Sequence, residues 1–208
     1  MFNTQKVMKK AGQKASELEE QIAKTLQHYE QSKDNASHLV HLKQVYINSA
    51  EEVEHKNSLG GVEKYLLVRI PFRSLAAFRK VSSRVIDHLE TKFAMPVVMV
   101  ANRTIISPHA VMHKSQKRPR SRTLKAVHNA ILDDIVAPSQ VSGRQTRVTV
   151  EGRVLEKIFL DPLDRELMEP RLESMANAYK RLTTHTVSFE FSKPTAFQQK
   201  KLDQQKKR

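Results

Sequence analysis

Apolar residues recur at helical spacing from Leu18, with Ile22, Leu26 and Tyr29 following at four, four and three residues. That spacing lines one face of an amphipathic helix. Ser16, with Glu19 three residues on, forms a capping box, so the helix is predicted to begin directly after Ser16. A second, short helix carries Leu39 and Leu42. Past Val45 the period shortens to two. Val45, Ile47 and Val53 share one parity, while Tyr46, Asn48, Glu52 and Glu54 take the other, which predicts a half-buried strand. The run YLLVRI from Tyr65 to Ile70 reads as a more deeply buried strand. Gly60-Gly61 between them marks a hairpin.

Pro71 closes that strand. Ser74 caps a predicted helix to about Lys92, with Leu75, Phe78, Val81, Val85 and Leu89 as its buried stripe. The wholly apolar segment from Val97 to Ala101 predicts a strand central in a sheet. A helix from about Thr123 to Val136 turns Leu124, Val127, Ile131 and Ile135 inward, with Ser121 available to cap it. A second hairpin is expected from Thr146 to Val150 and Val154 to Leu160, around Glu151-Gly152. Asp161-Pro162 has the form of an N-cap followed by proline at the first helical position. The next helix buries Leu172, Met175, Tyr179 and Leu182. Pro170 lies in its first turn or marks a kink, because an interior proline costs ~3 kcal/mol. Val187 to Phe191 forms the last strand.

Hairpins interspersed with helices predict an α+β fold, a mixed sheet built from two hairpins and additional strands with helices packed on it. The chain shows no internal sequence repeat. Residues 16–192 read as a single α+β domain with a basic strap at 103–125. Residues 1–15 read as an N-terminal extension and 193–208 as a basic tail, too polar to order alone.

Composition narrows the class. The 208 residues are 39% hydrophobic and contain no cysteine. Disulfides, thiolate metal sites and cysteine nucleophiles are thereby excluded, in keeping with a reducing compartment. Spanning a membrane takes roughly 20 consecutive apolar residues, and the stretch from Ala94 to Ala101 is far shorter. The first fourteen residues are basic without an apolar run, unlike a secretory signal. A soluble intracellular protein is expected.

The formal charge is +14, and its placement is uneven. Residues 91–132 hold no Asp or Glu but eight cations: Lys92, Arg103, Lys114, Lys117, Arg118, Arg120, Arg122 and Lys125. The tail from Lys193 adds a net five, so thirteen of the fourteen excess charges lie in two blocks. A solubilising surface mixes both signs. A single-sign block attracts polyanions.

Enzyme chemistry finds little footing. The five glycines form neither GxGxxG nor GxxxxGK[ST]. Asp133 and Asp134 are helical neighbours that diverge, which favours surface or salt-bridging roles over a shared-proton dyad. His109 and His113 have metal-pair spacing, but Pro108 and the surrounding positive charge oppose a cation site. His128 borders an apolar stripe and reads as a packed histidine. No catalytic residue, metal site, cofactor or small-molecule substrate is expected.

The segment HKSQKRPRSRTLKAVHNAILDD, residues 113–134, suits phosphate recognition. Arg118, Arg120 and Arg122 offer planar donor forks. Pro119 keeps Arg118 extended, giving a strap. The helix beyond directs its positive N-terminal end, and Lys125, toward the same phosphates. Aromatics are only 6% of the chain, so recognition by backbone and shape is expected rather than base reading. A nuclear DNA- or chromatin-binding regulator is the alternative the strap alone permits.

These residues also carry a resemblance. QKRPRSRTL followed by AVHNAILDDIVAPSQVSG, residues 116–143, is similar to the signature stretch of the eukaryotic small-subunit ribosomal protein seven family, distinct from the bacterial protein of that number. The likeness continues through RVTVEGRVLEKIFLD and AYKRLTTHTVSFEF, and covers about nine-tenths of the chain. The resemblance implies a non-catalytic component of the cytoplasmic 40S subunit that binds small-subunit ribosomal RNA and neighbouring ribosomal proteins. It further implies a part in maturation of that RNA, with a nucleolar assembly stage. Carried onto this sequence, the family's contacts fall on Lys117, Arg118, Arg120, Arg122 and Thr123. Arg103, Lys114 and Lys125 complete the expected RNA-binding set.

Overall fold

The computed structural model describes residues 6–9, 12–32, 38–56, 60–109, 117–195, 197–199 and 201. Its internal contacts form two compact units, Met1–Ile135 and Val136–Arg208.

In the first unit, α1 spans Glu17–Gln31. The Glu19 carboxylate accepts the Ser16 N–H at 2.8 Å, the expected capping-box contact, and Glu17, Glu19 and Glu20 complement the helix dipole. The short α2 covers Leu39–Lys43 and buries Leu42. Strand β1 (Ser49–Lys56) pairs antiparallel with β2 (Val62–Ile70), Val53 opposite Tyr65. Gly60 precedes β2 at φ +84°, a conformation glycine adopts without steric penalty. Helix α3, Leu75–Phe93, then carries the chain across to β3, Val97–Ala101. Strand β3 pairs parallel with β2, Leu66 opposite Val97.

Strand β1 starts four residues later than the alternation at Val45 suggests. Val45 and Ile47 are buried, but Ile47 pairs with Val7 instead, through Ile47 N–H to Lys6 O at 2.8 Å and Met8 N–H to Ile47 O at 2.7 Å. The alternation reflects burial, while the hydrogen bonds go to another partner. Leu66, Val68 and Ile70 of β2 share a core with Ile22 and Leu26 of α1. The predicted α3 stripe Leu75, Phe78, Val81, Val85 and Leu89 joins it in full. Each large aliphatic or aromatic side chain buried this way contributes roughly 1.5–3 kcal/mol.

Helix α4, Leu124–Val136, follows the basic strap. It buries Val127, Leu132, Ile135 and Val136. Leu124, expected inward, is 53% exposed, because it lies in the first turn at the end of an exposed segment.

The second unit has the same element order as the β1–β3 segment. Strands β4 (Val141–Val148) and β5 (Val154–Leu160) form an antiparallel hairpin closed at Gly152, φ +80°. Strand β4 begins five residues earlier than predicted, with a bulge between Val141 and Gly143. Its residues are mostly exposed, so no alternation announced the part before Thr146. Asp161 caps a 3-10 turn at Pro162–Asp164, its carboxylate accepting the Leu163 N–H at 3.0 Å. Helix α5 (Arg165–Met168), a 3-10 turn at Glu169–Arg171 holding Pro170, and α6 (Leu172–Thr183) lead to β6, Val187–Phe191. Pro170 thus sits at the break between two helices. Strand β6 pairs parallel with β5, Ile158 opposite Phe189.

The architecture is α+β, with two mixed three-stranded sheets of order β1-β2-β3 and β4-β5-β6. A hairpin–helix–strand plan recurs in both units without a sequence repeat to reveal it. Both crossing helices close on a left-handed residue that is not glycine, Ala94 and Thr184. No helix among the described residues is long and apolar enough to cross a membrane.

Candidate nucleic-acid interface

The strap acquires its shape from three local constraints. Pro119 holds the chain extended, at φ −62° and ψ 143°. Residues Arg120–Arg122 then close a 3-10 turn, with Arg122 N–H donating to Pro119 O at 3.0 Å. Finally, Ile106 N–H donates to Arg122 O at 3.0 Å, tying the turn to the segment that leaves β3.

Thr123, rather than Ser121, is the residue that precedes α4. It is extended, and its carbonyl accepts the Val127 N–H at 2.9 Å. Its hydroxyl donates to Arg120 O at 2.8 Å. Ser121 is instead the middle residue of the 3-10 turn. A serine two positions early carries the same capping signal in the sequence, and the turn decides between them.

Lys117, Arg120, Arg122 and Lys125 are exposed, and Arg118 and Thr123 half-buried. The Arg118 Nε is shielded from solvent with no hydrogen-bond partner among the described residues, an unmet donor of a kind folds rarely keep. Lys114 lies outside the described residues, as does His113. The first turn of α4 contains no acidic residue. Cations at a helix N terminus oppose its dipole by about 0.3–1 kcal/mol each. Helix α1 follows the favourable pattern, with three glutamates in its first turn. Helix α4 inverts it, and an anion placed there relieves both the dipole and the mutual repulsion of the cations.

Arg103 is arranged differently. Its Nε and one terminal nitrogen donate to Asp134 Oδ2 at 3.3 and 2.7 Å. Asp134 is buried in α4. It also accepts the Ala101 N–H at 3.3 Å and an Arg79 N–H at 3.1 Å. Sequence reasoning foresaw a salt-bridging aspartate but not its partners, which lie 31 and 55 positions away. The guanidinium of Arg103 stands 5.4 Å from the ring centroid of Phe72, a cation–π distance. Phe72 is 61% exposed. Phe72, Asn102, Arg103 and Thr104 meet Ser121 and Arg122 of the strap around a cleft of about 360 Å³. Of the predicted cations, the structure therefore brings Arg103 and Arg122 to one cleft. Phe72 was missed because it follows Pro71 in a 3-10 turn, outside any periodic pattern.

A basic strap runs onto a helix N terminus on an α+β scaffold, an arrangement with the chemistry to take up an anionic group. Residues 6–191 match the family model described as Ribosomal protein S7e. The chain is 38% identical over 193 residues to an Arabidopsis thaliana protein, small ribosomal subunit protein eS7z, covering 92% of this chain and 97% of that one. It is 40% identical over 189 residues to small ribosomal subunit protein eS7 of Schizosaccharomyces pombe, covering 89% and 93%. An Anopheles gambiae protein, also named eS7, is 36% identical over 191 residues, covering 89% and 95%. The chain belongs to the ribosomal protein S7e family. It is a structural ribosomal protein and not an enzyme.

Proposed function

We propose that this protein is a structural constituent of the cytoplasmic small ribosomal subunit, and that Lys117, Arg118, Arg120, Arg122, Thr123 and Lys125 bind and stabilise small-subunit ribosomal RNA. The carrying observation is the cationic strap entering α4 with no first-turn acid to balance it. Folded RNA supplies closely spaced phosphates whose counterions are released on binding, which makes a dense block of this kind effective. Lys114 belongs to the same charge block in sequence. The family's relatives, named as small ribosomal subunit proteins, support the choice of RNA over DNA.

Neighbouring ribosomal proteins are the second class of partner. Val148, Val150, Val154 and Leu155 at the end of the β4–β5 hairpin are all at least two-fifths exposed. Clustered apolar exposure of this kind marks an interaction surface. A nucleolar assembly stage, with a part in maturation of that RNA, is the further role that membership of the family supports.

Sucrose-gradient sedimentation of a cell lysate tests the reading. The protein is expected in the small-subunit fractions and to remain there at moderate salt. Recovery only from the light, free fractions would overturn it.

A further inference from the structure

The cleft beside the strap has features that phosphate binding does not use. One side offers an exposed aromatic ring, Phe72, with the Arg103 guanidinium 5.4 Å from its centroid. Asn102 contributes a side-chain amide, and Thr104 and Ser121 contribute hydroxyls. Arg122, on the strap, completes the lining. The volume of about 360 Å³ falls within the range of small-molecule sites, roughly 300–1,000 Å³.

The Arg103 guanidinium is held in place by Asp134, so its charge is already matched. Its side chain is only 14% exposed and its guanidinium lies over the Phe72 ring. The open stacking surface is therefore the 61%-exposed ring of Phe72, and aromatic rings are surfaces on which proteins stack unpaired bases. An amide can both donate to and accept from a base edge, and the hydroxyls can reach a ribose 2′-OH.

We infer that this cleft receives one unpaired nucleobase of the bound RNA. The base stacks on the exposed ring of Phe72, which the Arg103 guanidinium holds in position, while Arg122 holds a flanking phosphate. The surrounding charge selects RNA over an apolar peptide. The lining residues include Arg103 and Arg122 and no acid. The strap that supplies Ser121 and Arg122 also exposes Lys117, Arg120 and Lys125, a local charge that favours a polyanion. Recognition then combines a sequence-blind strap with one position where an extruded nucleotide is required. The inference rests on the strap's binding RNA, and it makes Phe72 and Arg103 the residues that discriminate bulged from continuous helix.

Phe72→Trp supplies the test, because the chain contains no tryptophan and the introduced indole reports from this cleft alone. Two RNA hairpins of one sequence are titrated into the full chain, one carrying a bulged nucleotide and one fully paired. The bulged hairpin is expected to quench the indole fluorescence, and the paired hairpin to bind without quenching. In parallel, Phe72→Leu is expected to weaken binding of the bulged hairpin about ten-fold and to leave the paired hairpin unchanged. Tight binding of both hairpins with no quenching, or equal quenching by both, would overturn the cleft and leave the strap intact. Failure of both hairpins to bind would instead remove the RNA reading itself. Phe72 is exposed, so neither variant threatens the core.

Discussion

Arg103 donates to Asp134 Oδ2 at 2.7 Å, and through that pairing the end of β3 is fastened to the body of α4. The same carboxylate holds the Ala101 N–H and reaches Arg79 of α3. One buried aspartate thereby fixes the helix whose N terminus receives the strap. Arg103 of this anchor also lines the cleft with Ser121 and Arg122 of the strap, so the strap's position depends on it.

Replacing Asp134 by alanine leaves Arg103 mostly buried without its counter-charge. Removing one partner of a buried ion pair costs about 3–5 kcal/mol. With Arg79 largely exposed, the expected loss is near the lower end, ~3 kcal/mol. Urea denaturation read by circular dichroism measures it. A loss well under 1 kcal/mol would show that α4 is held by packing alone.

Much of this was legible in the sequence, for physical reasons that differ by element. The α3 stripe, the Ser16–Glu19 cap and the Asp161-Pro162 turn were readable because each is fixed by near neighbours. Strand β3 was readable because both its faces are buried. The Arg103–Asp134 pair was not, since long-range ion pairs leave no periodic trace. The start of strand β4, Val141 to Gln145, hid for the opposite reason: it is mostly exposed and polar. Lys6 was equally invisible. It is 7% exposed, donates to Leu42 O at 2.8 Å and pairs with Glu30 at 2.7 Å. A lysine in a segment without hydrophobic pattern gives no hint of burial. At the site, the charge block declared the strap, while the Phe72 cleft needed three separated segments to be brought together.

Glu19 sets an acid limit on the first unit. Burial, the largest single influence, pushes its carboxyl up. The Lys9 ammonium at 2.7 Å, the Ser16 N–H and the Ala50 N–H outweigh it and hold the group below its ordinary 4.5. A carboxyl depressed in the fold stabilises fully above its unfolded value and loses that contribution as pH falls through the folded one. Stability is therefore expected to drop as pH goes below 4.5. Glu19→Gln should lose about 2 kcal/mol near neutrality and show a shallower decline in acid. Thermal melts of both proteins across that window check the sign. An unchanged acid slope would assign the sensitivity to other carboxylates.

Ala94 and Thr184 hold φ at 52° and 64° as the closing residues of α3 and α6. A side chain in that region costs roughly 1–2 kcal/mol against glycine, while glycine loses part of this advantage through its freer unfolded chain. Ala94→Gly and Thr184→Gly are each expected to stabilise by about 0.5–1 kcal/mol. Differential scanning calorimetry of the single and double variants measures this. A fall in melting temperature would mean that side-chain packing at these caps outweighs the backbone strain.

The two kinds of arginine near the cleft should separate in salt titrations of RNA binding. Arg120 and Arg122 are exposed on the strap, with half-buried Arg118 beside them. Any phosphate they neutralise releases counterions, so replacing all three by alanine should lower the log–log salt slope by about 0.7–0.9 for each phosphate no longer neutralised. Arg103 is already neutralised by Asp134. Its replacement by alanine should weaken binding by removing the guanidinium that lies over the Phe72 ring, while leaving that slope unchanged. Filter binding across a salt series distinguishes the outcomes. A slope unaltered by the strap variant would show that the strap does not touch the RNA backbone. A slope lowered by Arg103→Ala would show that its pairing with Asp134 opens when RNA binds.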